Sequence, residues 1–142
     1  MTISLKQVYQ ALEEASEAYT LFYDTKTGQT VYLPDVFIAG ERNEELEEEI
    51  ENNPGRYLRF PTKTEIHDYQ IMKQFIYSLP MSIERKELVS SVHGKGAFRK
   101  FKATVRHYGM EKQWYTFREE ALRQMAVEWC KENHLTPDDV TD

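Results

Sequence analysis

The chain reads as an α+β protein: a small three-stranded antiparallel sheet in the N-terminal half, with a helical C-terminal half packed on it. Two observations predict this. Between Ala18 and Phe60, short runs of β-branched and aromatic residues alternate with Gly- and Pro-containing turns. From Thr62 onward, apolar residues recur at helical spacing. Strands followed by helices, rather than alternating with them, is the α+β pattern. The 142 residues suffice for one core, and no repeat or low-complexity linker divides them. A single domain over 1–142 is therefore expected, with a helix and the sheet over about 4–60, helices over about 62–134, and a frayed acidic tail over 135–142.

The elements follow in order. Ser4 and Gln7 have capping-box spacing ahead of a helix whose apolar stripe is Leu5, Val8, Tyr9, Leu12 and Ala15. The run from Ala18 to Asp24, a turn ending in Gly28 and the run from Gln29 to Leu33 form a hairpin, with Gly28 supplying a left-handed turn residue. Pro34 ends the second strand, and 35–40 reads as loop. Asn43 to Asn52 is helical but has only Leu46 and Ile50 to bury, and Asn53-Pro54-Gly55 stops it. Arg56 to Phe60 is a third strand, which a marginal two-stranded hairpin needs. Thr62 and Glu65 are spaced to box the start of one helix reaching Leu79. Ser82 caps a helix over about 83–92, Ala97 to Tyr108 forms the next, and Glu111 to Asn133 is the longest. Thr136-Pro137 has the form of an N-cap and first helical residue.

The net charge of −6 is poor for general adhesion to nucleic acid or anionic lipid, but it is unevenly spread. Residues 41–51 hold seven glutamates and one arginine, a pattern that suits a solvated helix face. Residues 88–110 hold five cations and no acid. Cys130 is the single cysteine, which excludes an intramolecular disulfide and suits a reducing compartment. The N-terminus lacks the basic-then-apolar pattern of a signal peptide, and no apolar run would span a bilayer. A cytoplasmic protein without membrane contact is expected.

Several motifs carry a family resemblance. These are Tyr57-Leu-Arg-Phe-Pro61; Tyr69 with Met72, Phe75 and Ile76; Gly94-Lys-Gly-Ala-Phe-Arg-Lys-Phe-Lys102; and Trp114-Tyr-Thr-Phe-Arg118. With them the chain resembles uncharacterised protein family 0158, small bacterial proteins of unknown function, over roughly Leu5 to Leu135. The resemblance implies a bacterial, cytoplasmic origin. It transfers no catalytic residue, cofactor or substrate.

The acid-free segment supplies the first candidate site. On a helix, Ala97, Phe98, Phe101, Val105 and Tyr108 fall on one face, which reads as core, while Arg99, Lys102 and Arg106 form a stripe beside it. Lys95 lies in the glycine turn and Lys100 further round the helix. Gly94-Lys95-Gly96 lacks the spacing and the Lys-Ser/Thr ending of a P-loop and reads as an inter-helix turn. Three readings of the stripe stand: a solvated face paired weakly with the glutamates of 41–51, a nucleic-acid contact, or a site for a phosphorylated small molecule or an acidic protein partner.

Arg118 supplies the second. It projects near the middle of an apolar arc made by Trp114, Tyr115, Phe117, Ala121, Leu122, Met125 and Trp129. A guanidinium there needs a partner, and Asp68 or Glu65 is placed to be one; the alternative is a ligand clamp in a pocket. His67, His93, His107 and His134 show no metal-ligand spacing, and Cys130 reads as a small buried hydrophobe. No cofactor is implied. The expectation is a non-enzymatic binding or regulatory module using the basic helix, then a nucleic-acid-binding protein, then a small-molecule enzyme built on Arg118. The outer strand of the hairpin offers an edge to a second copy.

Overall fold

The computed structural model describes residues 1–138. Its elements run β1 (Thr2–Ser4), α1 (Leu5–Glu13), β2 (Tyr19–Asp24), β3 (Thr30–Pro34), α2 (Val36–Ala39), α3 (Glu44–Asn52), β4 (Tyr57–Arg59), α4 (Lys63–Ile66), α5 (Asp68–Ser78), α6 (Ile83–Ser91), α7 (Ala97–His107), α8 (Glu111–Glu132) and β5 (Thr136–Asp138). The architecture is α+β, with a three-stranded antiparallel sheet of order β3-β2-β4. The chain forms two compact units. One is Met1–Ile66 with residues 122–138, and the other is His67–Ala121.

In the first unit, β2 is the central strand. Leu21, Phe22, Tyr23 and Asp24 are all buried, as a strand covered on both faces requires. It pairs with β3 from Tyr19↔Pro34 to Tyr23↔Thr30 and with β4 from Phe22↔Arg59 to Asp24↔Tyr57. Gly28, at φ 75°, closes the hairpin and donates its amide to the Asp24 carbonyl at 2.8 Å. Helix α1 buries Leu5, Val8, Ala11 and Leu12, and the end of α8 contributes Leu122, Ala126, Trp129 and Cys130. Phe60, following β4, stacks on Trp129 with ring centroids 4.5 Å apart, and the Trp129 indole donates to the Arg59 carbonyl at 2.9 Å.

The second unit is all helix. Phe75 of α5 meets Phe101, Trp114 and Phe117 edge to face, at 6.2, 5.4 and 5.4 Å between centroids. Ile71, Met72, Ile76, Leu88, Val92 and Val105 complete this core. Tyr69 Oη donates to the Val92 carbonyl at 2.9 Å, holding α5 to the end of α6.

Local expectations fail at four places, each for an identifiable reason. The segment 35–40 holds a short helix rather than a loop, because Asp35 accepts from the Phe37 and Ile38 amides and Gly40 closes the turn. It leaves Phe37 93% exposed. The helix expected from Thr62 to Leu79 is two helices, broken at His67, which takes the left-handed conformation at φ 55°. Ser4 does cap α1, accepting from the Gln7 amide at 3.4 Å, but Gln7 does not complete the box. Its side-chain amide donates instead to Gly28 O and Thr30 Oγ1, both at 3.0 Å, tying α1 to the hairpin.

The fourth is at the C-terminal end. His134, left-handed at φ 58°, turns the chain out of α8, and the Leu135 amide donates to the Cys130 carbonyl at 2.8 Å. Thr136–Asp138 then runs parallel to β1, so Thr136-Pro137 begins a strand and not a helix. Pro137 is tolerated because a two-stranded ribbon leaves its missing donor on the open side. Of the tail expected to fray, residues 139–142 lie outside the described residues.

Candidate binding surface on helix α7

The acid-free segment folds as the end of α6, a turn and α7. Gly94 and Gly96 both have positive φ, at 77° and 75°, which a residue with a Cβ rarely adopts; they turn the chain between α6 and α7. Two contacts hold the turn. Lys100 Nζ donates to the His93 carbonyl at 2.7 Å, and Tyr108 Oη donates to a Glu87 carboxylate oxygen at 2.5 Å. The Glu87 carboxylate pushes the Tyr108 hydroxyl up to about 12, so it remains a donor at neutral pH. Lys100 thus serves the turn, apart from the exposed stripe.

Phe101 and Val105 are fully buried, and Arg99, Lys102 and Arg106 are exposed. Phe98 departs from the expectation. Placed with the core by its spacing, it is 47% exposed. It sits in the first turn, where the apolar face has begun to leave the core. Phe98, Arg99, Lys102, Ala103 and Arg106 line a shallow groove of about 390 Å³. These positions share one side of the helix, and the short side chain of Ala103 leaves the hollow between four long ones. Arg106 approaches Glu111 only at 4.0 Å, and Arg99 and Lys102 make no ion pair among the described residues. Lys95 is exposed in the glycine turn.

Arg118 lies elsewhere. Its Nε donates to Asp68 Oδ1 at 3.3 Å, with the two side chains 29% and 21% exposed, so the pair is half-buried rather than enclosed. Glu65 belongs to the other unit and has its own partners there. It accepts from Arg59 Nη1 at 2.7 Å and from the Thr62 amide at 2.8 Å, while its own amide donates to Thr62 Oγ1 at 3.2 Å. The Arg59 guanidinium, with the Thr62 amide, lowers the Glu65 carboxyl to about 2. The break at His67 is what places Glu65 and Asp68 on different helices.

A part-buried ion pair has no local signal in the sequence. Asp24, 3% exposed, receives Arg56 Nε and Nη2 on its two oxygens, each at 2.9 Å, and the Lys26 amide at 3.0 Å. The Arg56 guanidinium holds its carboxyl well below the usual carboxylate range. The pair locks the hairpin turn to the residue just before β4. An Asp four residues before a turn glycine signals a turn; nothing local signals a partner 32 positions away.

A second groove of about 350 Å³, in the first unit, is lined by Arg59, Pro61, Glu65, Met125, Glu128, Trp129, Glu132 and Asn133. Neither groove includes Arg118, a histidine or a cysteine. Cys130 is buried, and burial pushes its thiol up. No group of three His, Cys, Asp or Glu suited to a metal occurs among the described residues. No helix among them is long and apolar enough to cross a membrane.

Comparison with known proteins agrees with the motifs. A curated relative, UPF0158 protein PA5073 of Pseudomonas aeruginosa, is 23% identical over 138 residues, covering 96% of this chain and 86% of that protein. No solved structure matches. The model of the Uncharacterised protein family (UPF0158) matches residues 1–141, reaching beyond the motifs into both termini. The chain therefore belongs to the Uncharacterised protein family (UPF0158).

Proposed function

We propose that this chain is a binding module that takes an anionic partner on the exposed face of α7. The observation that carries the reading is the set of Arg99, Lys102 and Arg106 around one groove, with two of the three cations unpaired among the described residues. The groove lining has no carboxylate to compete with an anion. It also lacks a histidine or thiol, which suits holding an anion more than transforming it. The overall charge of −6 does not oppose this, because at physiological ionic strength charges beyond about 8 Å are largely screened and local composition governs.

Inorganic polyphosphate is a suitable probe, titrated calorimetrically at low and at physiological salt. The wild-type chain is expected to bind it, more weakly as salt rises. The triple reversal Arg99→Glu, Lys102→Glu, Arg106→Glu should abolish binding while leaving the melting temperature nearly unchanged, since all three side chains are exposed. Equal binding by the triple variant overturns the proposal.

A further inference from the structure

We infer that the α7 surface is built for single-stranded nucleic acid, with Phe98 as a stacking platform for an unpaired base. This rests on the binding reading above and names its partner. Three features of the groove converge on it. The first is charge: Arg99, Lys102 and Arg106 are spread over seven residue steps, about 10 Å of helix at 1.5 Å per residue, a track along which a phosphate backbone can run.

The second is the aromatic ring. Phe98 is exposed, and its neighbours in the groove are cations. A phosphorylated small molecule without a base, or an acidic peptide, would use the charges and leave the ring idle. A nucleobase uses it, because every base presents a π-face to an aromatic side chain whatever the sequence.

The third is shape. The groove is open and shallow, with Ala103 lining it between the longer side chains. A flat ring can lie there against Phe98, while the guanidinium planes of Arg99 and Arg106 are available both to phosphate and to a base face. A duplex keeps its bases stacked on one another and would leave Phe98 without a partner. The surface therefore favours a single strand, without reading its sequence.

The test compares fluorescein-labelled oligouridylate, an RNA duplex of equal length and inorganic polyphosphate by fluorescence anisotropy and calorimetry. Oligouridylate is expected to bind more tightly than the duplex. The slope of log K against log salt should be about −2, from three phosphate contacts on a single strand. Phe98→Ala should weaken oligouridylate binding by roughly five- to 150-fold, the range of one base–aromatic stack, and leave polyphosphate binding unchanged. Phe98→Tyr, which keeps the ring, should retain both.

If Phe98→Ala binds oligouridylate like the wild type, if the duplex binds as tightly as the strand, or if only polyphosphate binds, the single-strand inference is overturned and the anionic-partner reading stands. If none of the three probes binds, or the triple charge reversal changes nothing, both fall.

Discussion

Replacing Asp24 with alanine probes the ion pair that joins the hairpin to β4. Asp24 is 3% exposed, and its carboxylate accepts hydrogen bonds from Arg56, two at 2.9 Å, and from the Lys26 amide at 3.0 Å. Hydrogen bonds to a charged group are worth about 1.5–3 kcal/mol each, but they are not additive, and removing the carboxylate also removes its desolvation cost. The partner is not stranded, since the Arg56 side chain is 25% exposed and lies 3.5 Å from Glu49. The expected net loss is about 2–4 kcal/mol, a little below the cost of breaking a fully buried pair.

Urea unfolding followed by tryptophan fluorescence reads this, with Trp129 reporting from the unit that contains the pair. The sign of the pH dependence follows from the direction of the shift. A carboxyl held below its ordinary value of 3.8 contributes stability that is complete above that value and is lost as pH falls through the folded-state pKa. The gap between wild type and Asp24→Ala should therefore stay constant from pH 7 down to about pH 5 and narrow below about pH 4. A loss at pH 7 no larger than the roughly 1 kcal/mol of a surface pair refutes the reasoning, as does a gap that does not narrow in acid.

Two further substitutions address other features. His67→Gly should stabilise by about 0.5–1 kcal/mol, because the left-handed conformation costs a residue with a Cβ about 1–2 kcal/mol and glycine's larger unfolded-state entropy returns only part of that. Were the helix continuous through His67, the same change would destabilise by about 1 kcal/mol, so the sign of the shift in urea midpoint decides between the two. Arg118→Met should lower stability by about 1 kcal/mol by leaving Asp68 without its 3.3 Å partner, with no change in polyphosphate affinity. Unchanged stability together with weakened anion binding would instead make Arg118 a ligand clamp.

Elements with strong local signals were legible in the sequence. Gly28 between two β-rich runs specifies the hairpin, Ser82 caps α6 through the Arg85 amide at 3.2 Å, and Thr62 and Glu65 box the start of α4 as their spacing predicts. What the periodicity missed are conformations chosen against local preference. His67 carries no glycine or proline to announce a break, and β5 reads as a helix start until a partner strand is in place. The candidate site divides in the same way. Arg99, Lys102 and Arg106 were identifiable as one stripe from helical geometry, whereas the exposure of Phe98 depends on where the core ends beside the first turn of α7. A single helix from 62 to 79 would offer both Asp68 and Glu65 on one face; the break at His67 separates them, Asp68 meeting Arg118 and Glu65 meeting Arg59.

By itself, then, the sequence determined the α+β class, the hairpin, most helix limits and the charge reversal around the glycine turn. These rest on interactions within a few residues: caps, turns, and apolar spacing along one helix or strand. Only the tertiary structure decided that Arg56 would seal Asp24, that Thr136–Asp138 would join β1, and that Phe98 would stand outside the core among three cations. Each depends on groups far apart in sequence, or on the boundary of a core formed collectively by several helices. No local pattern encodes such a boundary, because burial belongs to the packed unit and not to any one segment.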